Sequence, residues 1–494
     1  MKETFNLTYL GLFPLGRSPS GKGMGIKVKI AMFAEGSYPY VAGGVSGWIQ
    51  MLVNALNENQ FVMYTLVPAK EDGGKFKYDI PSNLCEIRET YLCEDEVIYR
   101  KKKVNLSKEE KEALKSLLFG EDIKWGELFR FFDRTEYSSN DLLMSRDFME
   151  LARTLYMERY PNCVFTDFLW SLRSLYLPLF RVLRVPVEQA DCYHAISTGY
   201  AGILACKAKY MYQKPLILTE HGIYTREREE EIIKADWTQG IYKNIWTRYF
   251  YMLSQCIYDE ADHVISLFQA ARQIQTEIGC PKEKTRVISN GVFVKDLENL
   301  PMREEDGRIN IGAVIRIVPI KDVKTMINAY RLAKEEVPEL SLYLMGPTEE
   351  NKRYYEECLE LVKSFKIPDI TFTGRIRVKD YLGKMDFVVL TSISEGQPLC
   401  LLEAMAAGKP CISTDVGGCK ELLYGAEYDS FGRSGLIVPT MNVDKTAEAM
   451  VLLARNKKMR EQMGAVGKER TAKFYQNEEV VRKYRKLYDS LEWG

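Results

Sequence analysis

The stretch Thr391-Ser392-Ile393-Ser394-Glu395-Gly396-Gln397-Pro398-Leu399-Cys400-Leu401-Leu402-Glu403-Ala404-Met405-Ala406-Ala407-Gly408-Lys409-Pro410 decides the fold. It reads as the end of a strand, a tight turn at Gly396, then a helix opening at Pro398 and stopping at Gly408. A helix N-terminus placed there presents unsatisfied N–H groups and about half a positive charge, which suits a diphosphate. Glu395 lies in the turn before this cradle and Glu403 within the helix behind it. Both are acceptor-only carboxylates suited to sugar and ribose hydroxyls. The plainer alternative makes Glu395 a helix cap and leaves Glu403 exposed.

Outward from this segment, short β-branched runs alternate with helical text. They fall at residues 28–33, 61–67, 192–196, 215–219, 263–266 and 285–288 in the first half, and at 309–315, 341–345, 370–372, 387–390 and 410–413 in the second. Such alternation predicts two doubly wound α/β domains in tandem, each a parallel sheet covered on both faces, with ligands at the strand carboxyl ends. Residues 1–26, rich in Gly, Ser and Lys, are expected to be a flexible leader. A first Rossmann-like domain spans 27–300, with a helical insertion at about 94–160. Its charge run Arg100-Lys101-Lys102-Lys103 reads as a solvated face more readily than a nucleic-acid site. The turn Asn290-Gly291-Val292 and the charged text after it mark the boundary. A second Rossmann-like domain spans 301–472 and a closing helix 473–494.

Composition narrows the function. Of 494 residues, 46% are apolar and 28% charged, which excludes disorder. Lys plus Arg and Asp plus Glu are 68 each, so no net field draws in nucleic acid or an anionic membrane. Eleven scattered cysteines form no C-x-x-C pair, which fits reduced thiols in a cytoplasm. Only three histidines, scattered at 194, 221 and 263, argue against a multi-histidine zinc site, and no D-x-D pair exists to hold a diphosphate through a divalent cation. No apolar run approaches the roughly 18 residues of a spanning helix, and the N-terminal text makes a poor signal peptide.

Further segments carry candidate chemistry. In the loop Ile315-Arg316-Ile317-Val318-Pro319-Ile320-Lys321-Asp322, Arg316 and Lys321 place two positive charges where a diphosphate needs them; alternatively both are surface charges. Gly43 and Gly44 allow close backbone approach to a ligand, although the surrounding text does not fit G-x-G-x-x-G, and an ordinary turn is the alternative. His194 and His221 both end strands of the first sheet. His221 is the stronger candidate, being surrounded by Glu220, Gly222, Tyr224, Arg226 and Arg228, whereas His263 reads as structural. The apolar text at 168–181, with interspersed arginines, reads as core before it reads as a docking patch.

Together these segments resemble the GT-B glycosyltransferases of family four. The E-x7-E element (Glu395, Glu403), the R-x4-K element (Arg316, Lys321), Asn290-Gly291-Val292 and Val416-Gly417-Gly418-Cys419-Lys420-Glu421 occur in that family's order. Residues 38–48, 219–228 and 392–399 resemble the glycosyltransferases of Pel exopolysaccharide synthesis. The resemblance implies a GT-B fold with an inter-domain cleft and retaining, metal-independent transfer of a hexosyl unit from a UDP-sugar, UDP-glucose or a close relative. No cofactor is implied. Arg316 and Lys321 would hold the diphosphate, Glu403 the ribose and Glu395 the donor sugar, with backbone at Gly396, Gln397, Pro398 and Leu399 completing the cradle. His221 would sit by the reacting sugar, and Gly43, Gly44 and His194 would complete the substrate-binding set. Front-face departure of the diphosphate would need no enzyme nucleophile. The implied partners are a polysaccharide acceptor and, as a candidate, an inner-membrane synthase complex holding a cytoplasmic protein at the membrane periphery. Against the family pattern stand Ile315 and Asp322 in place of glycines and Phe293 in place of an acid. Competing classes are a non-catalytic nucleotide-sugar sensor or scaffold, and a UDP-sugar epimerase.

Overall fold

The computed structural model describes residues 28–68, 74–92, 103–304 and 306–491. The expected leader and residues 100–102 of the charge run lie outside them. The chain divides into two compact units. The first contains the residues up to Ile265, then Ile274–Arg286 and Leu487–Gly494; the second contains Ser266–Gln273 and Val287–Lys486.

The first sheet has seven strands: β1 (Lys29–Glu35), β2 (Gln60–Val67), β3 (Leu84–Tyr91), β4 (Cys192–Ala195), β5 (Leu216–Glu220), β6 (His263–Ser266) and β7 (Thr285–Val287). Their order is β3-β2-β1-β4-β5-β6-β7, and the pairs β1–β2, β1–β4, β2–β3 and β4–β5 run parallel. Ile30 to Ala34 are all buried without alternation, as expected of a strand covered on both faces. Strand order reverses between β1 and β4, which makes their carboxyl ends the place for a ligand.

Within the expected insertion lie helices Lys108–Phe119, Trp125–Arg134, Ser139–Leu143 and Arg146–Arg159. Ser107 with Glu110, and Ser138 with Asp141, form reciprocal capping boxes that start the first and third of these. The helix Phe165–Arg184 then buries Phe168, Leu172, Leu175, Tyr176, Leu179 and Phe180, so the 168–181 text is core.

The second sheet has β8 (Ile309–Val314), β9 (Leu340–Met345), β10 (Ile370–Gly374), β11 (Phe387–Leu390), β12 (Cys411–Thr414) and β13 (Gly435–Val438) in the order β10-β9-β8-β11-β12-β13. Its pairs are parallel, and the order reverses between β8 and β11. The boundary expected at 300/301 lies earlier, at Arg286/Val287. The 288–300 stretch belongs to the second unit because its backbone and side chains are committed there: the Val292 N–H donates to the Tyr475 carbonyl at 2.8 Å, and Val294 and Leu297 join the second core. The expected closing segment is likewise divided, residues to Lys486 lying in the second unit and Leu487 onward in the first. No helix among the described residues is long and apolar enough to cross a membrane.

Candidate active site

In the second unit the loops leaving β8 and β11, neighbours at the reversal of strand order, are stitched together. The Ile393 N–H donates to the Ile320 carbonyl at 2.9 Å, and the Thr391 hydroxyl reaches the carbonyls of Lys321 at 3.1 Å and Asp322 at 3.0 Å. Asp322 takes the left-handed conformation (φ 44°, ψ 52°) that its glycine counterpart would adopt at no cost, and its carboxylate caps the helix Val323–Glu336 at the Thr325 N–H. This closure brings the Lys321 ammonium onto Glu395 Oε1, which also accepts from the Ser392 hydroxyl at 2.6 Å. Only 16% and 11% of the Lys321 and Glu395 side chains remain exposed, so solvent screens this pair less than the surface pairs.

The turn at Gly396 is pinned from below. The Gly418 N–H donates to the Gly396 carbonyl at 2.7 Å, and a Cβ on Gly417 (φ 51°) would lie 2.0 Å from the Glu395 carbonyl oxygen. Gly417 therefore has both a conformational and a steric reason to be glycine. The helix beyond runs Leu399–Ala406. Pro398 is its N-cap rather than its first residue, and Gly408 (φ 70°) follows its end by two residues. Among the described residues no side chain caps its N-terminus. Glu403, on this helix, is held by burial at a carboxyl value of about 7, eased by the charge of Lys379.

Two expected groups are placed differently. The Gln397 side chain is committed to the Asn290-Gly291-Val292 junction, accepting from the Asn290 N–H at 2.6 Å and donating to the Leu267 carbonyl at 3.2 Å. It is buried, and its backbone carbonyl accepts from the Asn290 amide at 3.1 Å, so it is the backbone N–H that remains for a ligand. Arg316 pairs with Glu350 at 2.7 Å on the surface, both side chains more than a third exposed, and not with the Lys321–Glu395 pair.

In the first unit, Gly43 precedes the helix Gly44–Ala55, and a Cβ at Gly43 or Gly44 meets nothing within 4 Å. The approach there is open. Trp48 of that helix presents an edge-to-face contact to His221, centroids 4.7 Å apart. Among the described residues the buried His221 Nε2 meets no hydrogen-bond partner, and burial lowers the ring's pKa to about 4, so the imidazole is neutral at physiological pH. His194, expected to face a substrate, lies inside the first unit. It has no exposed surface, and its ring nitrogens engage the Tyr488 hydroxyl at 2.6 Å and the Thr219 hydroxyl at 2.8 Å.

Two carboxyl groups near His221 were given no role by the sequence reading. Glu220 is buried, with its carboxyl pushed up to about 7, and accepts the Tyr224 N–H, the Tyr258 hydroxyl and the Gln275 amide. Glu35 ends β1 and accepts the Tyr200 N–H and the Tyr224 hydroxyl, and burial raises it as well. The available signal was positional, since both glutamates end an apolar run and are followed within two residues by glycine. Among the described residues no group of three His, Cys, Asp or Glu is placed to hold a metal ion.

Residues 28–283 match the model of a domain of unknown function, DUF3492, and residues 308–456 match glycosyl transferases group 1. An uncharacterized glycosyltransferase of Methanocaldococcus jannaschii is 26% identical over 309 residues, 62% of this chain and 76% of that protein. Trehalose synthase of Thermococcus litoralis is 28% identical over 42% of this chain, a match spanning only 50% of the relative's length. Among solved structures, HepE of Anabaena in complex with UDP superposes with a TM-score of 0.60 at 14% identity, covering 94% of this chain and 100% of that one. The likeness shows the fold: two parallel-sheet Rossmann-like domains of the GT-B kind.

Proposed function

The chain belongs to the DUF3492 family and is a group 1 glycosyltransferase of GT-B fold, and from that premise we propose that it transfers a hexosyl unit, with retention and without a metal ion, from a UDP-sugar to a growing exopolysaccharide. UDP-glucose or a close relative is the donor in this reading, which the UDP and UDP-glucose complexes of HepE support. The observation that carries it is the Lys321–Glu395 pair, set by two stitched loops beside a helix N-terminus that no described side chain caps.

In this reading Lys321 and the backbone from Gly396 to Leu399 take the diphosphate. Preorganised positive groups at a leaving group are the largest single source of stabilisation in such chemistry. Arg316 joins them when a phosphate oxygen replaces Glu350 as its partner. Glu395 accepts from donor-sugar hydroxyls and Glu403 from the ribose. Neutral His221 serves the reacting sugar through Nε2, and Gly43 and Gly44 leave room for substrate. The resemblance of residues 38–48, 219–228 and 392–399 to the Pel glycosyltransferases supports an exopolysaccharide acceptor. It supports equally a cytoplasmic enzyme attached to a membrane synthase complex.

Calorimetric titration with UDP and UDP-glucose in EDTA, on wild type and Lys321→Ala, tests the reading. The expected result is binding without metal that weakens tenfold or more in the variant. Absence of UDP binding, or binding only when Mg²⁺ is supplied, overturns it.

A further inference from the structure

Between the end of β5 and the helix Tyr224–Lys234 lie only His221, Gly222 and Ile223. This short turn is gripped at both ends by side chains that the roles above leave unused. Glu220, the residue before it, accepts the N–H of Tyr224, the residue after it, at 3.1 Å, so side chain and backbone close a ring around the turn. The other Glu220 oxygen is fixed by the Tyr258 hydroxyl at 2.8 Å and the Gln275 amide at 2.9 Å. At the far end the Tyr224 hydroxyl donates to Glu35 Oε1 at 3.3 Å, while Glu35 Oε2 accepts the Tyr200 N–H at 3.0 Å.

The Tyr224 ring is held as well, with Phe250 edge-on at 5.8 Å and the Arg228 guanidinium 5.4 Å from its centroid. Space is tight enough to specify glycines. A Cβ on Gly199 would lie 2.5 Å from the Tyr224 hydroxyl and 2.7 Å from Glu35 Oε2, and one on Gly222 would lie 2.0 Å from Glu227 Oε1.

One buried and one half-buried carboxyl group are a costly way to fix a tyrosine, since apolar packing would do so without taking ionisable groups out of water. What they secure is direction. The turn they bracket carries an imidazole whose buried Nε2 meets no hydrogen-bond partner among the described residues, an arrangement that in native structures calls for an explanation. We propose that Glu220 and Glu35, acting through Tyr224, are positioning residues that hold His221 in the attitude sugar transfer requires. The proposal rests on the assignment of His221 above. Positioning matters at this scale because a misplacement of about 1 Å in a reacting site costs roughly a hundredfold in rate.

Tyr224→Phe removes one hydroxyl and keeps the ring, and Glu220→Gln keeps the shape of the carboxyl. In each, the expected result is a fall in kcat for transfer of tenfold or more with the UDP Kd within twofold of wild type. A second readout follows His221 directly: with three histidines in the chain, selectively ¹⁵N-labelled full-length protein yields few imidazole signals, and His221→Asn assigns the one that matters. The His221 signal should move in both variants. An unmoved signal in Tyr224→Phe overturns the proposal, whatever happens to Glu220→Gln. Should wild type transfer no sugar, the assigned reaction fails, and the ring signal still decides the positioning.

Discussion

Replacing Glu403 with glutamine should make the protein more stable and a poorer binder of UDP at the same time. Burial raises the Glu403 carboxyl from the ordinary 4.5 to about 7, so the folded state favours the neutral acid over a range where the unfolded chain is already ionised. A group raised in this way leaves stability intact below its unfolded value and removes it as pH climbs through the folded value. The gap, at about 1.4 kcal/mol per pH unit, sets a ceiling of about 3 kcal/mol on what wild type loses by pH 8.5, against less than about 1 kcal/mol at pH 5. Solvent at the partly exposed helix face reduces the ceiling to about 1–2 kcal/mol. Urea midpoints for both proteins at the two pH values measure the difference; Glu220, also raised to about 7, is common to both and cancels. If Glu403 binds ribose hydroxyls, losing the charged acceptor costs about 1.5–3 kcal/mol, or roughly a 10- to 150-fold weaker Kd for UDP by calorimetry. A gain of equal size at both pH values would refute the burial argument. An unchanged Kd would refute the ribose assignment.

Glycine substitutions should separate packing from approach. Gly417→Ala drives a Cβ to 2.0 Å from the Glu395 carbonyl at φ 51° and is expected to cost at least about 2 kcal/mol by thermal melt and to abolish UDP binding, whereas Gly43→Ala meets no protein atom and should leave the melt unchanged while slowing transfer. His221→Asn should retain UDP binding in the titration and lose transfer in a donor-turnover assay, because the lost group serves the reacting sugar and not the nucleotide. Asp429→Asn unpairs Arg470, a guanidinium with no exposed surface, and should destabilise the second unit by about 3–5 kcal/mol in urea unfolding.

The fold was legible because most of its strands are short, apolar and isolated by turn residues; His263–Ser266 and Phe387–Leu390 lie where the text places them. The two strands absent from that reading are instructive. Leu84–Tyr91 carries Glu86, Arg88 and Glu89 on an edge, and these charges are tolerated because partners distant in sequence meet them. Arg88 reaches the Tyr64 hydroxyl at 3.2 Å, and Glu89 accepts from the Tyr40 hydroxyl and from the Gly74 N–H. Gly435–Val438 opens on a glycine, a poor strand former, which leaves only Leu436, Ile437 and Val438 as strand text. In the candidate site, Lys321 and Glu395 were each legible from local text, but their pairing across 74 residues was not. His194 shows the same limit from the other side. Its place near a strand end was legible, and its hydroxyl partner far along the chain was not.

That hydroxyl has a consequence for biogenesis. Tyr488 lies 294 residues after His194, yet both belong to the first unit. At about 5–20 residues per second, a ribosome emits His194 some 15–60 seconds before the residue that satisfies its ring. During that interval the nascent first unit carries an unfilled polar position beside Trp48, and chaperone engagement should be strongest there. Messages truncated before codon 488 should yield products cleared by proteolysis, although every strand of both sheets has been translated.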